Sequence, residues 1–206
     1  MSRCSSCKFQ SNRSSEFIEL SLNIQNSNTI IDCINDLLKE EIMDGVNQYY
    51  CSNCDRKSNA KRMTKLTSLP PVLNLQLLRF TYDANTMHKK KLTNKIKFSE
   101  NLDLNAFTKT SATIKTEENA SNIYSLGAIL MHVGKTAYSG HYMAQIKNFE
   151  KNKWLQFNDE VITELKKKQQ LGCTDEESEK ASTSKEKVSV AWISLLSYCA
   201  LKISFY

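Results

Sequence analysis

An alternation of apolar and polar residues near the N-terminus predicts a β-strand that leads into a helix. From Ile18 to Ile24 every second side chain is apolar, which is typical of a strand with one buried face. Polar residues then end the strand, and Thr29 is placed to cap a helix that begins near Ile30. Apolar residues follow at helical spacing until Gly45 breaks the pattern, so we expect one amphipathic helix before that glycine.

Strand patterns dominate the rest of the chain and predict a mainly antiparallel sheet. The segment from Val72 to Phe80 is rich in strand formers and follows two prolines, which sheets tolerate at the start of a strand. Further strands are predicted at residues 96–98, 124–132, 142–146 and 154–157, the last two forming a hairpin across a polar loop. Residues 109–121 are expected to be a polar connection. The expected fold class is α+β.

Composition divides the chain into three segments. Residues 1–164 carry the periodic patterns and are expected to form one domain. Residues 165–187 are rich in Lys, Glu, Ser and Thr and have no periodicity, so we expect a flexible charged insertion. Residues 188–206 are apolar and aromatic, but their apolar stretch is shorter than the ~20 residues that span a bilayer. A core strand or hairpin is favoured there over a membrane or lipid-contact tail.

Overall composition and charge indicate a soluble globular protein. The chain has 206 residues, 40% of them hydrophobic, which is enough for a domain with a real core. The net charge of +6 favours acidic partners without indicating nucleic acid. The densest basic runs, His88 to Lys91 and Lys166 to Lys168, lack interleaved aromatics and are expected to be solvated faces. No apolar signal segment opens the sequence, so we expect an intracellular protein of the cytoplasm or nucleus with no membrane partner.

Four of the seven cysteines form two Cys-x-x-Cys knuckles, which predicts a metal site. Cys4 and Cys7 form one pair, and Cys51 and Cys54 form the other. In a reducing compartment two such pairs can hold one tetrahedral zinc, and a filled four-sulfur site is structural rather than catalytic. Four unrelated thiols and a nucleic-acid zinc ribbon are the alternatives. Cys33, inside the predicted helix, is interpreted as a small core residue rather than a reactive thiol.

His141 is the candidate catalytic residue of the chain. It follows a serine–glycine pair, small residues that let a substrate backbone approach the ring. Asn158 lies on the neighbouring predicted strand, where its amide oxygen can accept from one ring nitrogen and leave the other free as a general base. Asp159 can orient the ring instead, or polarise a water or an oxyanion donor. A buried histidine bonded to the backbone is the alternative for His141 itself. His88 and His132 lack such partners and are interpreted as surface or structural residues.

These segments resemble the ubiquitin-specific proteases, a family of papain-like cysteine peptidases. The likeness rests on the two cysteine knuckles, on Leu69-Pro70 through Phe80, on Gly140-His141-Tyr142 with Ala144, and on Trp154 with Phe157-Asn158-Asp159. The resemblance implies a fingers-and-palm architecture, zinc in the fingers, and hydrolysis of the bond after the C-terminal glycine of ubiquitin. It implies His141 as general base, Asn158 as the residue that orients it and Asp159 as an auxiliary polar group. Ubiquitin and ubiquitinated proteins are the implied partners.

Two features depart from that family's pattern. Its cysteine box, an Asn-Thr-Cys sequence in a glycine-rich context that opens the thumb subdomain, does not occur in this sequence. Cys33, Cys173 and Cys199 lie in no such context. The residues from Val188 onward do not match the family's Ala-Tyr-rich closing strand, so they form either a strand or a non-native tail. Two hypotheses follow: the chain is the fingers and palm part of a cysteine-type deubiquitinase, or it is a catalytically inactive module that binds ubiquitin.

Overall fold

The computed structural model describes residues 1–108, 122–166, 171 and 188–197. Within these ranges lie the helices α1 (Ile30–Leu38) and α2 (Asn105–Thr108) and a 3₁₀ turn at Gly45–Asn47. The first eight strands are β1 (Ser2–Cys4), β2 (Gln10–Ser11), β3 (Glu19–Leu22), β4 (Glu41–Met43), β5 (Tyr49–Cys51), β6 (Arg56–Ser58), β7 (Ala60–Arg62) and β8 (Val72–Leu77). The next eight are β9 (Phe80–Asp83), β10 (His88–Lys91), β11 (Asn101–Asp103), β12 (Ile123–Val133), β13 (His141–Asn148), β14 (Lys153–Asn158), β15 (Val161–Glu164) and β16 (Val188–Ser197).

Two of the predicted connections fall largely outside this description. The polar connection at 109–121 and most of the charged insertion at 165–187 lie beyond the described residues. Among the helices that the structure does describe, none is both long enough and apolar enough to cross a membrane.

Eight strands form the central sheet, which carries the hydrophobic core. Their order is β15-β14-β13-β12-β16-β8-β3, and β11 pairs with the first part of β12. Every pairing is antiparallel except that of β3 with β8. Leu75, Ile129 and Ile193, on three neighbouring strands, share one buried cluster with Ile34 of α1. The predicted α+β fold with a mainly antiparallel sheet is therefore confirmed.

The N-terminus of α1 lies where the sequence predicts it. Thr29 Oγ1 accepts a hydrogen bond from the Asp32 N–H at 3.1 Å, and the Asp32 carboxylate accepts one from the Thr29 N–H at 3.0 Å. This capping box satisfies two backbone donors at the first turn. Cys33 is fully buried on the inner face, so its interpretation as a core residue is confirmed.

The expectation that the helix continues toward Gly45 is wrong. The chain is already extended at Lys39, and Glu41–Met43 forms β4. β4 pairs with β7, which places Ile42 opposite Lys61. This pairing satisfies the backbone groups of β4 in place of the hydrogen bonds of a continued helix. Of the charges after Leu38, Glu41 therefore lies in an edge strand, and Lys39 and Glu40 lie in the connection before it.

The segment from Val72 to Phe80 is not one strand, as was expected. β8 ends at Leu77, and the Arg79 N–H bonds the Leu77 carbonyl oxygen at 2.6 Å, so the chain turns there. β9 then forms a separate hairpin with β10. Residues 96–98 form no strand either, since Lys97 makes only an isolated bridge to Thr29.

The basic run at His88–Lys91 departs from its predicted role as a solvated face. It forms β10, whose first three side chains are exposed, whereas Lys91 is only 7% exposed. The prediction is wrong for this lysine because β10 ends against the central sheet, where its last side chain meets the end of β12. Strand geometry thus overrides the preference of a charge run for water.

The apolar segment near the C-terminus supplies the strand at the middle of the central sheet. β16 pairs with β12 on one side and with β8 on the other. Ile193 and Leu195 are buried in the core cluster. Residues 198–206 lie outside the described part of the chain.

The two cysteine knuckles lie in a set of short strands apart from the central sheet. One small sheet has the order β2-β1-β7-β4, and β5 pairs with β6 in a separate hairpin. We call residues 1–11 and 41–62 the finger region. Its strands are two or three residues long, so backbone pairing alone gives it little stability.

Candidate active site and metal centre

His141 and Asn158 meet at one end of the β13–β14 hairpin. His141 is the first residue of β13, and Asn158 is the last residue of β14. The ring Nε2 lies 2.5 Å from Asn158 Oδ1. Because an amide oxygen can only accept, this contact assigns the proton to Nε2 and leaves Nδ1 as a free acceptor. About two fifths (41%) of the His141 side chain is exposed, so the ring is open to a substrate.

Asp159 lies close to the same ring but does not hydrogen-bond to it. Its Oδ2 is 3.9 Å from His141 Nε2, and 79% of its side chain is exposed. The residue has a φ of 51°, in the left-handed region that short polar residues tolerate in turns. It occupies the turn that joins β14 to β15. At this distance the carboxylate is not a hydrogen-bond partner of the ring.

A recess opens beside the ring. It has a volume of about 570 Å³ and is lined by Val133, Gly134, Lys135, Thr136, Ser139, Gly140 and His141. The loop of residues 134–140, between β12 and β13, forms most of its wall. An extended peptide entering this recess would therefore pass alongside His141.

Packing within the chain requires a glycine at position 140, in addition to any space that a substrate would need there. A Cβ at this position would collide with the imidazole of His132 and would lie 2.6 Å from the carbonyl oxygen of Val133. His132 is only 4% exposed, and its ring packs edge-on against Phe80 and Tyr142, with centroids 5.2 and 5.0 Å away. His132 thus has a structural role, since it packs beneath the loop that leads into His141.

Burial keeps the His132 ring neutral. Its loss of hydration lowers the pKa of His132, and the nearby Lys91 ammonium lowers it further. Sequence reasoning assigned this histidine to a surface or structural role, and the structure places it in the interior. A signal was present in the sequence, because the position lies in the predicted strand at 124–132.

The four cysteines of the two knuckles converge on one point. Their sulfur atoms all lie within 4.8 Å of one another. The Cys4–Cys54 sulfur distance is 3.9 Å, and the Cys7–Cys51 distance is 3.6 Å. Sulfurs placed about 2.3 Å from a central zinc at tetrahedral angles would be about 3.8 Å apart. The donor set and its spacing therefore fit a metal ion, which Cys4, Cys7, Cys51 and Cys54 could hold.

Both knuckles have a residue in the left-handed region directly after their second cysteine. Lys8 and Asp55, each the residue after the second cysteine of a pair, have φ values of 63° and 49°. The Lys8 N–H bonds the Cys4 carbonyl oxygen at 3.1 Å, and the Cys54 N–H bonds that of Cys51 at 3.2 Å. These tight turns bring the two thiols of each pair onto one side of the backbone.

The charges of the cluster also favour a bound cation. A hydrogen bond from the Phe9 N–H lowers the pKa of Cys7 to about 6. The hydrogen bond that the Cys54 thiol makes with the Cys7 sulfur instead raises the pKa of Cys54 to about 12. One thiolate therefore opposes ionisation of the next. A metal ion would remove that opposition, because each ligand binds as a thiolate.

The described residues contain no accessible thiol besides this cluster. Their cysteines are the four knuckle residues and Cys33, and Cys33 is fully buried. Cys173 and Cys199 lie outside the described residues. The described part of the chain thus offers the His141–Asn158 pair no accessible thiol.

A histidine paired with an asparagine amide beside an open recess resembles the base half of a papain-like cysteine peptidase. The finger region adds four converging cysteines that could hold a metal ion. A family model for ubiquitin carboxyl-terminal hydrolase matches residues 5–189. The chain therefore belongs to the ubiquitin carboxyl-terminal hydrolase family.

Individual relatives agree with this assignment. Ubiquitin carboxyl-terminal hydrolase 48 of Rattus norvegicus is 45% identical over 187 residues, which cover 89% of this chain and 17% of that protein. Ubiquitin carboxyl-terminal hydrolase 15 of Saccharomyces cerevisiae is 31% identical over 190 residues, which cover 88% of this chain and 15% of that protein. The chain thus spans about a sixth of the length of the curated relatives it matches.

A solved structure shows the same fold. A chain in the structure of the SAGA Ubp8/Sgf11/Sus1/Sgf73 DUB module bound to ubiquitin aldehyde matches with a TM-score of 0.68 and 26% identity. The match covers 95% of this chain and 39% of that chain. Both the central sheet and the finger region therefore fall within a stretch that resembles part of a deubiquitinating enzyme.

Proposed function

We propose that this chain supplies the general base and its orienting group for thiol-dependent hydrolysis of the bond after the C-terminal glycine of ubiquitin. The observation that carries the proposal is the 2.5 Å contact between His141 Nε2 and Asn158 Oδ1 at the edge of an open recess. Membership of the ubiquitin carboxyl-terminal hydrolase family supplies the substrate class. Ubiquitin and ubiquitinated proteins are the proposed partners.

The proposed chemistry is acyl transfer to a cysteine. His141 Nδ1 takes the proton of a thiol, and the thiolate attacks the carbonyl carbon of the last ubiquitin glycine. The carbon–nitrogen bond breaks, the imidazolium gives its proton to the leaving amine, and a thioester remains. Water, deprotonated by the same nitrogen, then cleaves the thioester and releases the ubiquitin carboxylate and the thiol. Asn158 holds the ring throughout, and the Asp159 carboxylate stabilises the imidazolium.

Zinc is proposed as the ion of the finger region. Four thiolates at tetrahedral spacing suit zinc, and a filled site leaves no position for water. The ion's role is to fix the short finger strands, which would form part of the ubiquitin-binding surface. A reducing compartment favours both thiolate ligands and a thiol nucleophile, so the proposal places the protein in the cytoplasm or nucleus.

The second candidate is a module that binds ubiquitin without cleaving it. It is favoured by one observation, which is that the described residues contain no accessible thiol outside the metal cluster. A ubiquitin probe with a C-terminal electrophile separates the two functions. A covalent adduct with this chain would reject the inactive module, whereas reversible binding without an adduct would reject catalysis by this chain alone.

Ubiquitin binding at the recess can be tested independently of catalysis. We expect ubiquitin to shift the NMR signals of Gly140 and His141, because its C-terminal tail would lie in the recess that these residues line. Ubiquitin shortened by its two C-terminal glycines is the matched control and should leave both signals in place. Equal shifts with both proteins, or none with either, would contradict the proposal.

A further inference from the structure

The loop of residues 134–140 sets the position of His141, and it has no regular structure of its own. It connects β12 to β13 and turns at Gly134, which has a φ of 144°. Thr136 Oγ1 accepts from the Tyr138 and Ser139 N–H groups at 3.3 and 3.2 Å, so the loop has some internal order. Contacts with another element are needed to fix it relative to the sheet.

Lys91 makes the most buried of those contacts. Its Nζ donates to the carbonyl oxygens of His132 and Gly134, at 3.1 and 2.6 Å. These two carbonyls flank Val133, the last residue of β12, so the ammonium holds the point where the chain leaves the sheet. Burial, together with the charge of the neighbouring Arg79, lowers the pKa of Lys91 to about 8. A cation that has lost so much hydration depends strongly on its hydrogen bonds.

A second contact ties the tip of the loop to the same strand. The Tyr138 hydroxyl accepts a hydrogen bond from the Lys89 N–H at 3.0 Å. Tyr138 is itself 68% exposed, so this contact rather than burial holds its side chain. β10 therefore touches the loop at its beginning, through Lys91, and near its end, through Lys89.

The loop also fixes the residue before His141. Gly140 packs against the buried ring of His132 with no space for a side chain. The carbonyl group of His132 is one of the two that Lys91 holds. A displacement at Lys91 is thus transmitted through His132 to Gly140, and from there to the ring that faces Asn158.

We infer that Lys91 is a positioning residue for His141, which acts together with the Lys89–Tyr138 contact by holding the loop of residues 134–140 against β10. Its importance for catalysis rests on the proposed function, since that assigns His141 as the base. The mechanical connection between Lys91 and the His141 ring does not depend on activity. It is therefore open to measurement in this chain alone.

NMR relaxation of the full chain tests the inference. In Lys91→Met, we expect the backbone order parameters of residues 134–139 to fall from about 0.85 to below about 0.6, and the His141 ring to become mobile. Lys90→Met is the matched control, because it removes an exposed lysine from the same strand. It should leave the loop and the ring as they are in the unmodified chain. An ordered loop and an immobile ring in a folded Lys91→Met protein would overturn the inference.

A milder variant decides the matter if Lys91→Met does not fold. Tyr138→Phe removes only an exposed hydroxyl and its bond to the Lys89 N–H. We expect a smaller loss of order, confined to the tip of the loop, together with greater mobility of the His141 ring. No change in either would then overturn the inference.

The measurement also separates this inference from the proposed function. Loss of loop order in Lys91→Met, together with no effect of the ubiquitin tail on His141, would retain the positioning role and reject the function. The converse result, an effect of the ubiquitin tail with an unchanged loop, would retain the function and reject the positioning role.

Discussion

The four-cysteine cluster and the His141–Asn158 pair differ in how much the fold depends on them. Cys4 and Cys51 are fully buried, and the strands around them are two or three residues long. His141 and Asn158 stand at the open end of a hairpin in an eight-stranded sheet whose core lies elsewhere. The stability of the finger region therefore depends on its cysteines. The stability of the central sheet does not depend on His141 and Asn158, which the sheet only positions.

The two sites also differ in completeness. All four sulfur atoms of the cysteine cluster come from the described residues and converge within 4.8 Å. The histidine site has a ring paired with an amide and a recess, but no accessible thiol among those residues. A metal site whose four positions are all filled by protein ligands is structural, whereas a site with an open position can admit a reacting partner. The contrast predicts a graded series of effects on stability.

Loss of the metal should have the largest effect. Chelation, or the double substitution Cys51→Ser with Cys54→Ser, is expected to unfold the finger region, because short strands without a metal lack a sufficient core. Zinc analysis should fall from one ion per chain to none, and the NMR signals of residues 1–11 and 41–62 should collapse toward random-coil positions. Signals of the central sheet should persist.

Cys33→Ala is the control for this prediction. It also removes a thiol, but from the core cluster rather than from the knuckles. It should leave the zinc content at one ion per chain. A finger region that keeps its dispersed signals without metal would break the comparison, since it would show that the cysteines are dispensable for that fold.

A core substitution in β16 should have the second largest effect. Ile193 is 1% exposed between β12 and β8, so Ile193→Ala is expected to cost about 2–5 kcal/mol in the free energy of unfolding. Ile162→Ala, in the edge strand β15 where the side chain is 59% exposed, should change it by less than about 0.5 kcal/mol. Urea unfolding measures both. Equal costs would show that β16 does not carry the core of the sheet.

Local patterns predicted those parts of the fold that are set by local physics. Thr29 and the apolar spacing after it define the start of α1, and the strand predicted at 124–132 corresponds to β12. The end of α1 was missed because β4 pairs with β7, some twenty residues further along the chain. The position of β16 at the centre of the sheet was likewise beyond prediction, because pattern reveals a strand but not its neighbours.

The candidate site was predictable to a similar depth. The hairpin pattern placed His141 and Asn158 near each other, and knuckle spacing paired the cysteines. The burial of Lys91 was missed because it depends on where β10 docks, which no local pattern encodes. The packing of Gly140 on His132 was missed for the same reason, since the two residues meet across the loop.

Removal of the α1 cap should have a modest effect. Thr29→Ala breaks the capping box and is expected to cost about 1 kcal/mol, measured by urea unfolding against Thr86→Ala, an exposed threonine in the β9–β10 turn. The hydrogen bond with the Thr29 side chain holds the pKa of the Asp32 carboxyl below its ordinary value. The stabilisation from Asp32 is thus complete above the unfolded pKa of about 3.9 and is lost as the pH falls through the lower, folded value. This acid dependence should weaken in Thr29→Ala, and an unchanged one would contradict the cap.

Asn158→Ala should have the smallest effect on stability and a clear effect on the site. Asn158 is exposed at the end of β14, so the free energy of unfolding should change by less than about 0.5 kcal/mol. The His141 ring loses its acceptor and should become mobile in ring ¹³C relaxation, because Asp159 is too distant to replace the bond. Asp159→Asn, which keeps that bond, should leave the ring fixed. If Asn158→Ala instead destabilised the sheet by several kcal/mol, the pair would be part of the fold, and its contrast with the cysteine cluster would disappear.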